Sequence, residues 1–498
     1  MNAPVAKPSR GGRAGEARWD LNLAEPLELV QSWGRALRSQ GRVVFVTQRE
    51  TLVRAFEEAS RQGRSIAMRG SGCSYSDTFQ NEGGVVVDTS GMNRILAFDP
   101  NTGLLKAEPG LTIAQIWRTT LPFGWWPPVV TGTMFASMGG LAAVNAHGKN
   151  NFKRGTFGEH IVEFTMLLPT GEEVTCSPRE NTELYYSAIG GLGLLGAFTS
   201  ITLQLKRVHS GLLEVEPVVL PDFETTFRAF DERRSSMDYL VGWVDCFGTG
   251  SSIGRGIIHA ARYLHEGEDP HPEASLQPVN QELPSYILGV IPKGWTWMAL
   301  RPFVNNQGMR LINMAKYLAS RIHADGYTYR QPLAAFSFLL DYVPNWKFAY
   351  GPGGLIQYQS FIPEKDARRV FESLIEMSQS AGLPPYLGVL KRHRPDPFLL
   401  THAVDGYSLA LDYKVTESNR AALWKLAERM DPVVFGVGGR FYFSKDATCR
   451  PGAHRDVWPA ANVDRFLAMK RRCDPKGLLQ TKLFQRVFGA DARTLATV

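Results

Sequence analysis

Several things are scarce in this 498-residue chain, and each shortage narrows what it can do. Cysteine is one of them. Cys73, Cys176, Cys246, Cys449 and Cys473 are odd in number, scattered and without a C-x-x-C pair. That argues against a disulfide framework and against a zinc site, so no metal is expected and a reducing, cytoplasmic setting fits. Long apolar runs are missing too. No uninterrupted stretch of about 18 apolar residues exists, and no membrane-spanning helix is predicted. The nearest candidate, residues 286–304, is broken by Pro292, Lys293, Gly294, Arg301 and Pro302. Its Trp295, Trp297, Met298 and Leu300 fit peripheral contact with a membrane or a greasy substrate, and fit plain core equally well. The first 18 residues carry Lys7, Arg10, Arg13 and Arg18 but no apolar h-region. They read as a disordered tail, not a secretory signal. There is no internal repeat, and no basic stripe interleaved with aromatics, so nucleic acid is a poor partner. The net charge of +7 leaves a modest positive field that suits an anionic, phosphate-bearing substrate.

What the chain has in quantity is glycine, 48 residues of it, so tight turns and close backbone approaches are expected. Residues 43–46 read as a short strand and are followed by a helix from near Thr47, where Glu50 suits a capping box. Residues 65–68, Val85–Asp88 and 104–108 read as further strands and Ile113–Thr120 as a helix. Residues 161–168 and Glu173–Cys176 form a hairpin pattern. Thr182–Ala188 reads as a helix and 197–205 as a strand. Short strands and helices with glycine punctuation make an α+β design. Composition shifts near Arg207, and a compact pattern resumes near Phe441. The expected division is a tail at 1–18, one unit at 19–210 completed by 439–498, and a second unit at 211–438.

Two glycine patterns compete as a nucleotide site. Gly191-Leu192-Gly193-Leu194-Leu195-Gly196 matches G-x-G-x-x-G by letter. A dinucleotide fingerprint needs a strand before it and a helix after it; here the order is inverted, so close backbone packing is the better reading. Arg69-Gly70-Ser71-Gly72-Cys73-Ser74-Tyr75 instead follows a strand and enters no helix. Its glycines leave main-chain N–H groups free for an anion, and its hydroxyls add donors, which suits a pyrophosphate. Alone it is an ordinary glycine turn. The second feature is Gly132-Thr133, Gly139-Gly140 and Ala146-His147-Gly148-Lys149-Asn150, small residues that admit a flat ligand beside cationic chemistry.

The order of these motifs, with Gly83-Gly84-Val85-Val86-Val87-Asp88 and Pro122-Phe123-Gly124 between them, resembles the vanillyl-alcohol oxidase superfamily of PCMH-type FAD enzymes. Within it, Ser32-Trp33-Gly34-Arg35, Gly155-x-Phe157-Gly158-x-His160, Gln357-Tyr358-Gln359, Lys445-Asp446 and Asp474-Pro475 are similar to the decaprenylphosphoryl-ribose 2-oxidase branch. The resemblance implies an FAD domain built from both ends of the chain, with an inserted substrate (cap) domain containing an antiparallel sheet. It implies that FAD contacts Arg69, Gly70, Ser71, Gly72, Cys73, Ser74, Tyr75, Ser76, Asp77, Gly132, Ser137, Met138, Gly139, Gly140, Asn145, Ala146, His147, Phe198 and Tyr442. Lys445 and His147 would be catalytic, and Lys149, Gln357, Gln359 and Lys391 would face the substrate. The reaction implied is oxidation of a secondary alcohol of a sugar or phosphosugar, lipid-linked or free, with a partner reductase as an optional partner and the electron acceptor left open. A carbon–carbon double-bond reductase of a lipid- or sterol-like substrate shares the same FAD domain and is the alternative.

The chain departs from that pattern in places. Many relatives carry a flavin-linking His where this chain has Cys73, so non-covalent FAD is expected. The stretch 394–407 does not match the branch. Read without the resemblance, Lys445 is a solvated lysine at a strand end, and Lys391-Arg392-His393-Arg394 is an exposed charge run. His402 and Asp412 are available as an acid–base pair, although isolated His and Asp are mostly structural.

Overall fold

The computed structural model describes residues 26–287, 291–323 and 327–495. The basic tail at 1–18 lies outside the described residues.

The three valines of Val85–Asp88 are buried in a central strand flanked on both sides. It pairs in parallel with Arg38–Phe45 and with Ile66–Arg69, and Glu28–Gln31 adds an antiparallel edge beyond Arg38–Phe45. The Arg38–Phe45 strand is longer than the apolar run at 43–46, since its polar first half faces that edge. The helix after it starts at Arg49, with Gln48 as N-cap and no side-chain cap. The capping box expected at Thr47 and Glu50 is therefore absent. Val46 still donates to Asp88 O at 2.8 Å, which keeps the chain on the sheet for longer than the helical pattern suggests. A capping box does form at Thr112 and Gln115, opening the helix Ile113–Thr120.

A second, antiparallel sheet runs in the order Ile95–Asp99, Leu104–Ala107, Ala197–Gln204, Ile161–Leu167, Glu173–Cys176. The largest sheet has eight strands, all antiparallel. Its order is Tyr329–Pro332, Leu212–Leu220, Gly256–Tyr263, Tyr239–Val244, Leu387–His393, Gly406–Lys414, Leu355–Pro363, Arg440–Phe441. All its strands lie between residues 212 and 441, so the last falls beyond the expected boundary at 438. Gly406–Lys414 and Leu355–Pro363 are buried along almost their whole length, as central strands covered on both faces are. On one face the helices Phe223–Arg233 and Glu364–Ser380 pack against Leu390 and Leu411. The other face borders a cavity. The molecule is α+β with antiparallel sheets, as the punctuation predicts.

The C-terminal stretch returns to the first sheet. The Ile66 amide donates to Leu478 O at 2.7 Å, and the Gln480 amide donates to Ile66 O at 2.8 Å. Asp474 accepts the amides of Leu478 and Leu479 and a buried ion pair from Lys470, which shapes that turn. Arg486 then joins three parts of the chain. It reaches Asp77 Oδ1 at 2.8 Å, Asp446 Oδ2 at 2.9 Å and Cys449 O at 2.8 Å. Both carboxylates are buried. Removing the guanidinium leaves two buried anions side by side, and loss of one partner of a buried pair costs about 3–5 kcal/mol. Arg486→Ala is expected to lower unfolding stability by about that much, measured by denaturant titration of the holoprotein; a loss under about 1 kcal/mol would show that the clamp does not hold the fold.

Candidate active site

Ile66–Arg69 delivers the chain into the glycine loop. A Cβ on Gly70 would lie 2.3 Å from Ser137 Oγ, the atom that accepts the Ser71 amide at 3.3 Å. Gly72 has φ of 65°, the left-handed region where a side chain is strained. Among the described residues the amides of Gly72, Cys73 and Ser74 donate to no protein acceptor, which leaves three N–H groups for a ligand anion. Burial pushes the Cys73 thiol up to about 11. It therefore stays protonated at neutral pH and is a poor nucleophile. The loop is tied to the C-terminal segment. The Tyr75 amide donates to Ser444 O at 2.9 Å, and the hydroxyls of Ser74 and Ser444 lie 3.2 Å apart.

This loop is one wall of a cavity of about 370 Å³, within the range of small-molecule sites. The second wall is Gly132, Ser137, Gly139, Gly140, Ala146, His147 and Phe198, all on the cavity surface as expected. Tyr442 and Lys445 join them. Ser76, Asp77, Met138 and Asn145, expected to touch the cofactor, do not reach the surface of the cavity. Asp77 is turned to Arg486, and Met138 is in the core. Asn145 is used by Asp396 and by the Gly158 amide, each at 3.0 Å. Ser76 is fully buried behind the loop, its amide on Ser444 O.

The third wall is a face of the eight-stranded sheet. Directly opposed residues in antiparallel strands share a face. Gln357 opposes Asp412, Gln359 opposes Ala410, and Lys391 opposes Ser408. Trp243 opposes Val389, and Val241 opposes His259. The period of two sends Lys391 to the cavity and Arg392 to the opposite face, where it pairs with Glu364 and Asp405 at 2.8 and 2.7 Å. The 391–394 run is therefore not an exposed charged face. Lys445 is not a solvated strand end either. It is half-buried, with its Nζ 3.5 Å from the centroid of the Tyr75 ring.

The electrostatics of the cavity are one-sided. Arg69, Lys149, Lys316, Lys391 and Lys445 line it, and Asp412 is the one carboxylate on its surface among the described residues. Burial lowers Lys149 to about 7 and both Lys391 and Lys316 to about 8. Lys149 donates to the carbonyls of Phe336 and Ser337, so it also holds the segment that covers Gly132. Burial pushes Asp412 up and Lys445 down, and each partly offsets the shift of the other through their mutual attraction. Gln357 donates to Asp412 Oδ1, while buried Oδ2 has no partner. His402 does not pair with Asp412. It packs at 5.3 Å from His147 and 4.5 Å from Tyr442, in a buried cluster with His393 and Phe361. Burial holds His147 well below its ordinary value, so it is neutral. Gln359 Nε2 lies 3.2 Å from His147 Nε2. With that amide donating, the imidazole proton sits on Nδ1, which meets no protein acceptor.

Several lining residues were not singled out from sequence: Trp243, His259, Lys316 and Leu340. The unbroken apolar run at 239–244 marks a buried strand but not which of its residues meet the cavity. Lys316 is on a helix distant in sequence, and nothing local marks it. Gly193 and Gly196 also line the cavity, so the inverted G-x-G-x-x-G does more than pack.

These walls fit FAD. The unpartnered loop amides suit its pyrophosphate, and the glycine-lined second wall suits a flat ring. In Gly70→Ala, Ser137 must give up the Ser71 amide. FAD affinity is expected to fall about tenfold or more, read as visible absorbance relative to protein, with recovery in Gly70→Ala/Ser137→Gly. Unchanged flavin content in Gly70→Ala would refute this role of the loop.

A sequence profile described as an FAD binding domain matches residues 41–177. The decaprenylphosphoryl-beta-D-ribose oxidase of Mycolicibacterium smegmatis is 27% identical over 468 residues, covering 92% of this chain and 97% of that protein. Cytokinin dehydrogenase 3 of Oryza sativa subsp. japonica is 26% identical over 237 residues, 45% of each chain. An uncharacterised FAD-linked oxidoreductase of Mycobacterium tuberculosis is 27% identical over 188 residues, 36% of this chain and 40% of that protein. With these walls and likenesses, the chain is an FAD-linked oxidoreductase with an FAD-binding domain over residues 41–177, and it is similar to the PCMH-type enzymes of the vanillyl-alcohol oxidase superfamily.

Proposed function

We propose that the enzyme oxidises a secondary alcohol of a sugar or phosphosugar, with FAD held non-covalently and residues 211–438 forming the substrate side. The observation that carries this reading is the balance of the cavity lining, five basic side chains against one carboxylate among the described residues. Such a site favours anionic occupants, and FAD accounts for one of them. The near full-length likeness to an oxidase of a phosphoryl-linked ribose supports the substrate class.

FAD, when bound, supplies the acceptor for the hydride that leaves the carbinol carbon. The protein's own groups manage position and the proton. Asp412 Oδ2, buried and unpartnered, receives the hydroxyl proton as the carbon becomes a carbonyl. Burial has already raised its affinity for that proton, which makes it a better base than a solvated carboxylate. Lys445 keeps Asp412 ionised and presents its Nζ to negative charge beside Tyr75. Gln357 and Gln359 donate within the protein and keep their carbonyl oxygens for sugar hydroxyls. His147 Nδ1–H is a further donor.

Anaerobic mixing with sugar phosphates and with the free sugars tests the substrate class. Flavin bleaching by a phosphosugar, and weaker bleaching by its dephosphorylated form, is expected; no bleaching with either refutes it. Acid precipitation is expected to release the flavin, and colour retained in the pellet would mean a covalent link. Asp412→Asn is expected to cut kcat/KM about a hundredfold or more. It also removes the anion that raises Lys445, so the alkaline limb of the pH profile moves to lower pH. A limb that stays in place would separate Asp412 from Lys445.

A further inference from the structure

Between Glu282 and Asp325 the sequence has no acidic residue, in a chain with 48 of them, and it carries Lys293, Arg301, Arg310, Lys316 and Arg321. Much of this stretch is the helix Asn306–His323. Its inner side belongs to the protein: Tyr317 is buried, Asn313 donates to Tyr386 O, and Lys316 Nζ lies 4.3 Å from the centroid of the Trp243 ring on the cavity wall. Its outer side is apolar and uncovered. Leu311 is 56% exposed, Met314 43%, Leu318 48% and Ile322 78%. Their spacing of three and four places them on one stripe. Arg310 and Arg321 are also exposed, near its two ends. In the short helical segments before it, Trp295 is 66% exposed, and Met298 and Phe303 are also outside.

A row of exposed Leu, Ile and Met with a Trp nearby, edged by arginines and free of carboxylates, has the chemistry of a helix lying in an anionic lipid interface. A second copy of the chain is a poorer occupant. Self-association through this stripe would bring one acid-free, basic surface against another. We propose that the helix Asn306–His323, with the short helical segments before it, docks the protein on an anionic bilayer surface. The cavity then lies about one helix diameter, roughly 10 Å, behind the lipid. This does not depend on the substrate reading.

The test uses the FAD-loaded full chain and vesicles of phosphatidylcholine, with and without phosphatidylglycerol. Co-sedimentation with the anionic vesicles is expected, weakening as salt screens the arginines. Leu318→Gln/Ile322→Gln and, separately, Arg310→Glu/Arg321→Glu should each reduce partitioning about tenfold. Flavin absorbance reports that the variants remain folded; if the first pair loses flavin, the second decides. Three outcomes would overturn the proposal: no sedimentation with anionic vesicles, equal sedimentation with neutral ones, or partitioning unchanged in the arginine pair. So would a dimer that Leu318→Gln/Ile322→Gln dissociates, if that protein ignores vesicles.

Discussion

Arg486 is the interaction on which the active site depends. The glycine loop and the segment bearing Tyr442, Ser444 and Lys445 are more than 360 residues apart in sequence, yet the amide of Tyr75 rests on the carbonyl of Ser444. Nothing local forces that approach. The guanidinium does so by holding Asp77 and Asp446, one just beyond each of the two segments. A buried ion triad is an expensive way to gain stability, because desolvation consumes most of the Coulomb energy. It gains register instead, since two carboxylates can satisfy one planar fork in few ways. The glycine loop is thus positioned by the C-terminal stretch.

The sheet supplies the other half of the site by a simpler rule. Antiparallel pairing puts opposed residues on one face, so a few strands assemble a wall of alternating side chains with Leu390 and Leu411 on its reverse. Polar groups on such a wall are costly to bury. Most are satisfied pairwise, Gln357 by Asp412 and Gln359 by Ser408 and His147. Asp412 Oδ2 and His147 Nδ1 are among the described atoms left with hydrogen-bonding capacity to spare.

Much of this was legible in the sequence where the signal was local. The glycine loop, the strand Val85–Asp88 and the helix Thr182–Ala188 carry their own patterns. The context rule correctly set aside Gly191–Gly196 as a dinucleotide fingerprint, though two of those glycines still meet the cavity. Lys391 and Lys445 were opaque, because a charge run and a strand-end lysine look solvated until the sheet that buries them is known. Asp77 misled for a related reason. It adjoins the loop in sequence, but its partner lies 409 residues away. The weak signal at Thr47 and Glu50 lost to a backbone bond with Asp88, a tertiary contact no window can contain.

Two lysines of the cavity have a consequence beyond charge. Lys149 and Lys391 sit near neutrality because burial has lowered them, so the cavity by itself is only partly protonated. An anionic occupant restores their affinity for protons. Binding therefore draws protons from solution, and the heat of association depends on which buffer gives them up. The site behaves as a proton sponge that ligand squeezes in reverse, filling with protons as it fills with phosphate.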